Sequence, residues 1–360
     1  MTERFLIARE FMRIAINGYY WGQPSIGSGQ YVRSLFKAMA QFDPENEYVI
    51  VVPRENILSD VITPLPNFGP HVFLYPERPS LRLSENLAKV NFEQSAFPRA
   101  CHREHVAVAH VPYFASPSSP TVPTVVTVHD LIPMILPLYR GSILVQMYTR
   151  LVASAARRAH AVIADSECTK RDIIARLGID PNRVHTIYLA ADAQFKRIDD
   201  PAQVAAVRAR FDLPEKFLLY LGGYDQRKNL RVIIEAFSLL PELYDAGYRL
   251  VLGGATRGAG SSDLFPDPHR IVAQTSLKED AVKFLGWVRE EDKPALYASA
   301  TLFLFPSLYE GFGLPPLEAM ASGTPVISSN ASSLPEIVGD AAMLVEPEEP
   351  WHGRSLFVRC

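Results

Sequence analysis

Short apolar, β-branched runs alternate with longer amphipathic stretches along almost the whole chain. In the first half, the runs at 13–17, 47–52, 71–75, 106–111, 124–128, 161–164 and 184–188 read as strands. Helical patterns lie between them near 28–42, 81–97, 141–158 and 166–176. In the second half, strands are predicted at 216–221, 248–253, 281–285, 301–305, 324–328 and 342–345, with helices near 229–240, 268–276, 291–298 and 314–322. Runs such as Phe217-Leu218-Leu219-Tyr220-Leu221 are apolar throughout, as strands covered on both faces must be. The alternation predicts α/β architecture with parallel sheets. There are two such series, separated by the polar stretch 192–212, so two doubly wound domains are expected, 12–200 and 201–360. Ligands of open α/β sheets bind outside the carboxyl ends of the strands. Two such domains facing each other would frame an interdomain cleft.

Composition narrows the class. The 360 residues suit two domains at about 150 residues each. With 48% hydrophobic and 21% charged residues, disordered, collagen-like and fibrous chains are excluded. A net charge of -3 argues against a dedicated nucleic-acid binder. Cys101, Cys168 and Cys360 form neither a disulfide framework nor a CxxC metal site, so a reduced, cytoplasmic setting is expected. Residues 1–11 do not read as a signal peptide and are expected to be a dispensable extension before the strand that follows Met12.

Four segments carry candidate chemistry. The first runs from Pro306 to Val326 after an apolar strand. Gly311 and Gly313 free the backbone for close approach, and Pro315 sits where a helix begins. A helix start offers free N–H groups to an anion. Glu310 precedes the loop, and Glu318 is expected in the first helical turn, where a Glu also simply complements the helix dipole. The second segment is Leu221-Gly222-Gly223-Tyr224-Asp225-Gln226-Arg227-Lys228-Asn229. Arg227 and Lys228 are expected to open a helix, an unfavourable place for cations unless they hold an anion such as a diphosphate. A solvated basic turn is the plain alternative. The third is Thr127-Val128-His129-Asp130-Leu131, which by itself reads as a polar strand end or an Asp cap. The fourth is Ile26-Gly27-Ser28-Gly29-Gln30-Tyr31-Val32, where Val32 breaks the GxGxxG dinucleotide pattern. Cys101-His102-Arg103-Glu104-His105 with His110 matches no standard metal spacing. Glu310 and Glu318 suit a glycosidase pair, but that chemistry needs neither the anion loop nor the Arg-Lys pair.

Taken together, these segments closely resemble the family 4 (group 1) glycosyltransferases with the GT-B fold. The resemblance covers about 12–348 and is densest over 216–348, including Phe284–Val288 and Ser333–Asp340. It implies a retaining, metal-independent enzyme that moves a hexose from a nucleoside-diphosphate sugar to an acceptor hydroxyl of a glycan or lipid-linked glycan. No cofactor or nucleic acid is implied, and the donor leans towards GDP-mannose. It places Glu310 beside the donor sugar and Glu318 on the ribose. Backbone N–H groups of Gly311, Phe312, Gly313 and Leu314 would meet sugar and phosphate, with Gly223 in the neighbouring glycine turn. Arg227 and Lys228 would neutralise the diphosphate, and His129, supported by Asp130, would lie beside the transferred sugar. Gly27 and Gly29 would let substrate approach the backbone. Phe284–Val288 would lie at the nucleotide base and Ser333–Asp340 behind the donor site. The alternatives are a nucleotide-sugar epimerase or phosphorylase-like enzyme of similar fold, or an inactive donor-binding chain. The last is motivated by 351–360, which lacks the closing helices of the family and suggests truncation. The stretch 136–158, with Arg140, Arg150, Arg157 and Arg158, is a candidate for contact with the inner face of a membrane. An ordinary amphipathic helix over the sheet is its alternative.

Overall fold

The apolar runs pair into two sheets. The computed structural model describes residues 12–24, 26–54, 63–65, 72–77, 85–254, 260 and 262–347. The expected extension at 1–11 and the tail at 351–360 lie outside the described residues.

The first sheet contains β1 (Arg13–Asn17), β2 (Glu47–Pro53), β3 (Thr63–Pro64), β4 (Val72–Glu77), β5 (Val108–Val111), β6 (Thr124–Val128), β7 (Ala161–Ala164) and β8 (Val184–Thr186). Their spatial order is β3-β4-β2-β1-β5-β6-β7-β8. Only β3 is antiparallel, pairing Thr63 with Leu74. It is a two-residue edge strand containing a proline, too short for a hydrophobic pattern and placed where proline is tolerated. The second sheet contains β9 (Lys216–Leu221), β10 (Tyr248–Gly253), β11 (Val282–Gly286), β12 (Leu302–Phe305), β13 (Val326–Ser329) and β14 (Met343–Val345). Its order is β11-β10-β9-β12-β13-β14, all parallel. Counted within the sheet this is 3-2-1-4-5-6, the doubly wound order of dinucleotide-binding folds. The order reverses between β9 and β12, and in the first sheet between β1 and β5.

Helical periodicity fixes which faces cover the sheets. Helix Gly27–Phe42 turns Val32 and Phe36 onto Ile16, Ile50 and Val52. Helix Leu230–Ser238 sets Ile233, Ala236 and Phe237 against Leu218, Tyr220 and Leu250. Each large side chain so buried stabilises the fold by about 1.5–3 kcal/mol.

Two helical stretches depart from the sequence pattern, and the second moves the domain boundary. The helix expected over 81–97 is described from Glu85 and widens into a π turn at Phe92–Ala96 before continuing as Phe97–Arg103. Pro98 has no N–H for the regular bond to residue 94, and the Phe97 N–H reaches back to the Phe92 carbonyl instead. The polar stretch 192–212 contains the helix Pro201–Arg210, capped by Asp200. Val207 and Phe195 tie it into the core around β9 and β12. The chain accordingly passes into its second compact unit at Tyr188, earlier than the expected boundary at 200. The first unit runs to Asp165 and includes Lys170–Ile187; Ser166–Thr169 group with the second.

Candidate active site

In the second unit, the two loops at the switch point of the sheet carry opposite charge. After β9 the chain makes a single 3-10 turn, Gln226–Lys228, and Asn229 then adopts a left-handed conformation (φ 54°) before the helix starts at Leu230. Arg227 and Lys228 therefore precede the α-helix rather than open it, which corrects the sequence expectation. The Asn229 amide donates to the carbonyls of Pro306 and Pro347, tying this turn to the loop after β12.

That second loop supplies Glu310. One carboxylate oxygen, Oε1, lies 2.6 Å from Lys228 Nζ and 2.8 Å from an Arg227 terminal nitrogen. Arg227 Nε is also 3.2 Å from Asp225 Oδ1. Burial opposes ionisation of Glu310, but the two cations outweigh it and hold its carboxyl below the usual range. Burial likewise draws Lys228 below the ordinary lysine value, against the pull of Glu310. Two cations and two carboxylates thus balance within hydrogen-bond reach. An arriving polyanion can take over the cations, leaving Glu310 to accept from hydroxyl groups.

The loop backbone is held from behind. Ser333 Oγ donates to the carbonyls of Glu310 and Phe312, and Glu310 N–H donates to Ser332 Oγ. Ser166 and Thr169 hydroxyls both donate to the Gly311 carbonyl. Glu336 accepts from the N–H groups of Glu167 and Cys168. Gly313 has φ 124°, and a Cβ there would lie 2.7 Å from Leu334 Cδ2, so glycine is required twice over. Helix Leu314–Ala321 follows with no side-chain cap. Pro315 and Pro316 carry no N–H, which leaves Leu314 as a donor of its first turn.

Glu318 falls in the second helical turn, not the first as expected. Its Oε2 accepts from Tyr297 OH at 3.1 Å, and burial pushes its pKa up despite nearby Lys293. Gly223 closes the turn after β9, its carbonyl accepting from Tyr220 OH.

In the first unit, His129 follows β6. Its Nδ1 is 2.7 Å from Asp165 Oδ2 and its Nε2 is 3.1 Å from the Pro112 carbonyl. Two acceptors call for two N–H donors, which describes an imidazolium. Burial works against that charge, but the Asp165 hydrogen bond and charge outweigh it and raise the pKa. Burial pushes the neighbouring His110 down to about 4, with the His129 charge adding to it. Tyr31 meets the His129 ring edge-on at 4.6 Å. Asp130 accepts from the Ile132 N–H as a cap, and its charge adds to the upward pull on His129. Gly27 and Gly29 lie inside the first turn of helix Gly27–Phe42 rather than in a turn before it. A Cβ on Gly29 would fall 2.0 Å from the Gln23 carbonyl, so packing alone requires that glycine, whereas one on Gly27 would meet nothing.

The switch point of the first sheet holds a different cluster, which the sequence patterns did not single out. Asn17 ends β1, and its Oδ1 accepts from Tyr19 N–H and Tyr113 OH. Its buried Nδ2 has no partner among the described residues. Tyr20 packs edge-on against Tyr19 and Tyr113, with centroids 5.2 and 4.9 Å away. Glu93, on the π turn, is fully buried and accepts from Tyr148 OH, while Lys89 lies 3.4 Å from it. Burial pushes the Glu93 carboxyl up to about 7. Asp165 and Glu93 were missed because their partners are distant in sequence. An apolar strand ending in Asp165-Ser166 was the available signal for Asp165. Among the described residues, no group of three or more His, Cys, Asp or Glu is placed to hold a metal ion.

Known proteins bear on both halves. Residues 26–195 match the model for Glycosyltransferase Family 4, and residues 206–352 that for Glycosyl transferases group 1. O-antigen chain mannosyltransferase B of Escherichia coli is 34% identical over 224 residues, 62% of this chain and 57% of that protein. The serotype-specific mannosyltransferase WbdA of Escherichia coli is 33% identical over 223 residues, 61% of this chain and 27% of its own length. The chain thus spans about half or less of the curated relatives it matches first. Among solved structures, sucrose-phosphate synthase from Thermosynechococcus elongatus superposes with a TM-score of 0.72 at 21% identity, covering 97% of this chain and 89% of that one. Anabaena HepE in complex with UDP and glucose gives 0.69 at 20% identity, with the same coverages. With one model on each half and this fold, the chain belongs to the family 4 (group 1) glycosyltransferases of the GT-B fold.

Proposed function

We propose that the protein transfers a hexose, mannose in the first instance, from a nucleoside-diphosphate sugar to an acceptor hydroxyl during glycan or polysaccharide synthesis. The observation that carries this reading is the convergence of Arg227, Lys228 and Glu310 at the switch point of the second sheet, beside the start of helix Leu314–Ala321. The mannosyltransferase relatives support the choice of sugar.

The hard part of the reaction is loss of a nucleoside diphosphate as negative charge builds on its phosphate oxygens. Arg227 presents a planar fork and Lys228 a point charge to those oxygens, already fixed in place before reaction. Glu310, relieved of its cations by the diphosphate, accepts from sugar hydroxyls. Glu318, held by Tyr297, accepts from the ribose. The bond from anomeric carbon to diphosphate oxygen breaks and a bond to the acceptor oxygen forms on the same face. The acceptor proton passes to the departing phosphate oxygen, so the scheme needs neither a protein base nor a metal. His129, held as an imidazolium by Asp165, is the electrostatic partner of the transferred sugar. The half-buried rings of Tyr19 and Tyr20, packed edge-on beside Tyr113, suit a sugar acceptor.

A thermal-shift screen of nucleotide sugars, followed by mass spectrometry of lipid-linked and soluble acceptors, tests this reading. Added acceptor mass with release of nucleoside diphosphate supports it. An isomerised donor or a released sugar phosphate assigns the chain to another reaction.

A further inference from the structure

The buried carboxylate on the π turn of the first unit faces a lysine that the proposed reaction leaves unused. Lys89 Nζ lies 5.6, 5.7 and 4.6 Å from the ring centroids of Tyr20, Tyr113 and Tyr148. Tyr20 follows β1, Tyr113 follows β5, and Tyr148 belongs to helix Ile143–Ala156. Separate elements thus wrap one ammonium group at the switch point of the sheet, where open α/β sheets take their ligands. An ammonium has three N–H donors. One reaches Tyr148 OH at 2.9 Å, and one faces Glu93 Oε1 at 3.4 Å. The remaining donor has no acceptor among the described residues. The Lys89 side chain is 22% exposed, whereas that of Glu93 is fully buried.

Stability alone is a poor reason for this pairing. Charges withdrawn from water cost about as much as their attraction returns, so a buried pair adds little to the fold. The π turn that presents Glu93 is a distortion frequent at functional sites. Burial pushes the Glu93 carboxyl up to about 7, with Lys89 pulling the other way. The other groups facing it are the hydroxyls of Tyr148 and Tyr113, which burial keeps un-ionised through the neutral range. Tyr148 in turn neighbours Tyr19 and Tyr20. The protonation state of Glu93 therefore decides what Lys89 attracts. Beside an ionised Glu93, the pair is neutral, and the open N–H offers a hydrogen bond suited to a sugar hydroxyl. Beside a protonated Glu93, the charge of Lys89 is uncovered and attracts an anion.

We infer that Glu93 determines the charge of the acceptor: by covering Lys89 it fits this site to an uncharged sugar and against an anionic one. Lys89 donates to an acceptor hydroxyl between the half-buried rings of Tyr20 and Tyr148. Glu93 is fully buried and touches no substrate, so it acts through Lys89 as a positioning residue. This role rests on the proposed sugar transfer, which supplies the acceptor.

Binding of two probes to the full chain, with no donor present, tests it. The probes are methyl α-mannoside and its primary sulfate ester, whose charge does not change over the pH range used. Affinities come from NMR titration of the ligand signals. The quantity read is the part of each affinity that Lys89→Met removes, so that anion sites elsewhere drop out. At about pH 8, where an exposed or mildly raised carboxyl is ionised, wild type should bind the sulfated probe no more tightly than the neutral one. Glu93→Gln should bind the sulfated probe about tenfold or more tightly than wild type does, the worth of one charge-assisted hydrogen bond. Wild type at about pH 6 should make most of the same gain, because proton uptake by Glu93 uncovers Lys89, while Glu93→Gln should be flat over this range. The wild-type titration needs no substitution at Glu93, and thermal melts establish that the variants are folded. A preference of wild type for the sulfated probe at about pH 8 overturns the inference. Absence of the gain in folded Glu93→Gln, or in acid wild type, overturns it as well. Sugar transfer without charge selection overturns this inference alone. Charge selection without sugar transfer overturns only the proposed reaction.

Discussion

At the switch point of the second sheet, charge is concentrated in a few adjacent side chains. Arg227 and Lys228 share one oxygen of Glu310, and Asp225 balances the group. At the switch point of the first sheet, aromatic rings dominate, with Asn17 and the buried Glu93 as the polar groups between them. His129 lies apart from that cluster, after β6, and its charge is supported by Asp165, the residue that follows β7. The same architecture thus holds a cation pair in one unit and a largely buried aromatic cluster in the other. The difference teaches that a doubly wound sheet fixes where a ligand docks, while the loop residues decide what ligand it is.

The sharpest way to break this contrast is to remove the cations. Arg227→Ala and Lys228→Ala should each slow turnover by about 10²-fold or more, the cost of losing a preorganised charge contact in the transition state. Asp165→Asn should lower the His129 pKa towards its ordinary value and slow transfer by about tenfold, from loss of one charged hydrogen bond. An NMR titration of the ring reads the pKa directly, and an unchanged titration would remove Asp165 from the account. Glu318→Ala should weaken nucleotide binding by roughly tenfold in calorimetry, again one hydrogen bond to a charged group. Equal affinity of wild type and variant would reject the ribose role.

The pH dependence of stability separates the two units further. Glu310 titrates below its ordinary range, so its contribution is present above the unfolded carboxyl pKa and is lost as pH falls through the folded one. His129 titrates above its ordinary value, so its contribution is present below the unfolded histidine pKa and is lost as pH rises through the folded one. Chemical denaturation of His129→Gln should therefore show its largest deficit on the acid side of neutrality and converge with wild type in mild alkali. The smallest effect concerns metals. Removal of divalent ions by a chelator should leave the transfer rate unchanged, and a rate restored only by added metal would contradict charge stabilisation by Arg227 and Lys228.

The charged cluster of the second unit was largely legible in the sequence because its parts are contiguous. Each follows an apolar strand, and glycine, proline and charged residues mark the loop within a few positions. What escaped were details that depend on backbone geometry. The left-handed Asn229 moves Arg227 and Lys228 ahead of the helix, and the helix start at Leu314 puts Glu318 in its second turn. The other unit was legible in its strands but not in its cluster. Tyr19, Glu93, Tyr113 and Tyr148 meet through tertiary packing, and each by itself has an ordinary structural reading. The helix Pro201–Arg210 was hidden by its polar exposed face, with Val207 its one buried residue.

The central claim is that Arg227 and Lys228 carry the charge of a departing nucleoside diphosphate. It is tested most directly by single-turnover transfer from the nucleotide sugar chosen in the thermal-shift screen, comparing wild type with Arg227→Ala and Lys228→Ala at saturating donor. The account predicts a fall of about 10²-fold or more in each variant, with melting temperatures that show both to be folded. Wild-type rates in both variants would contradict it.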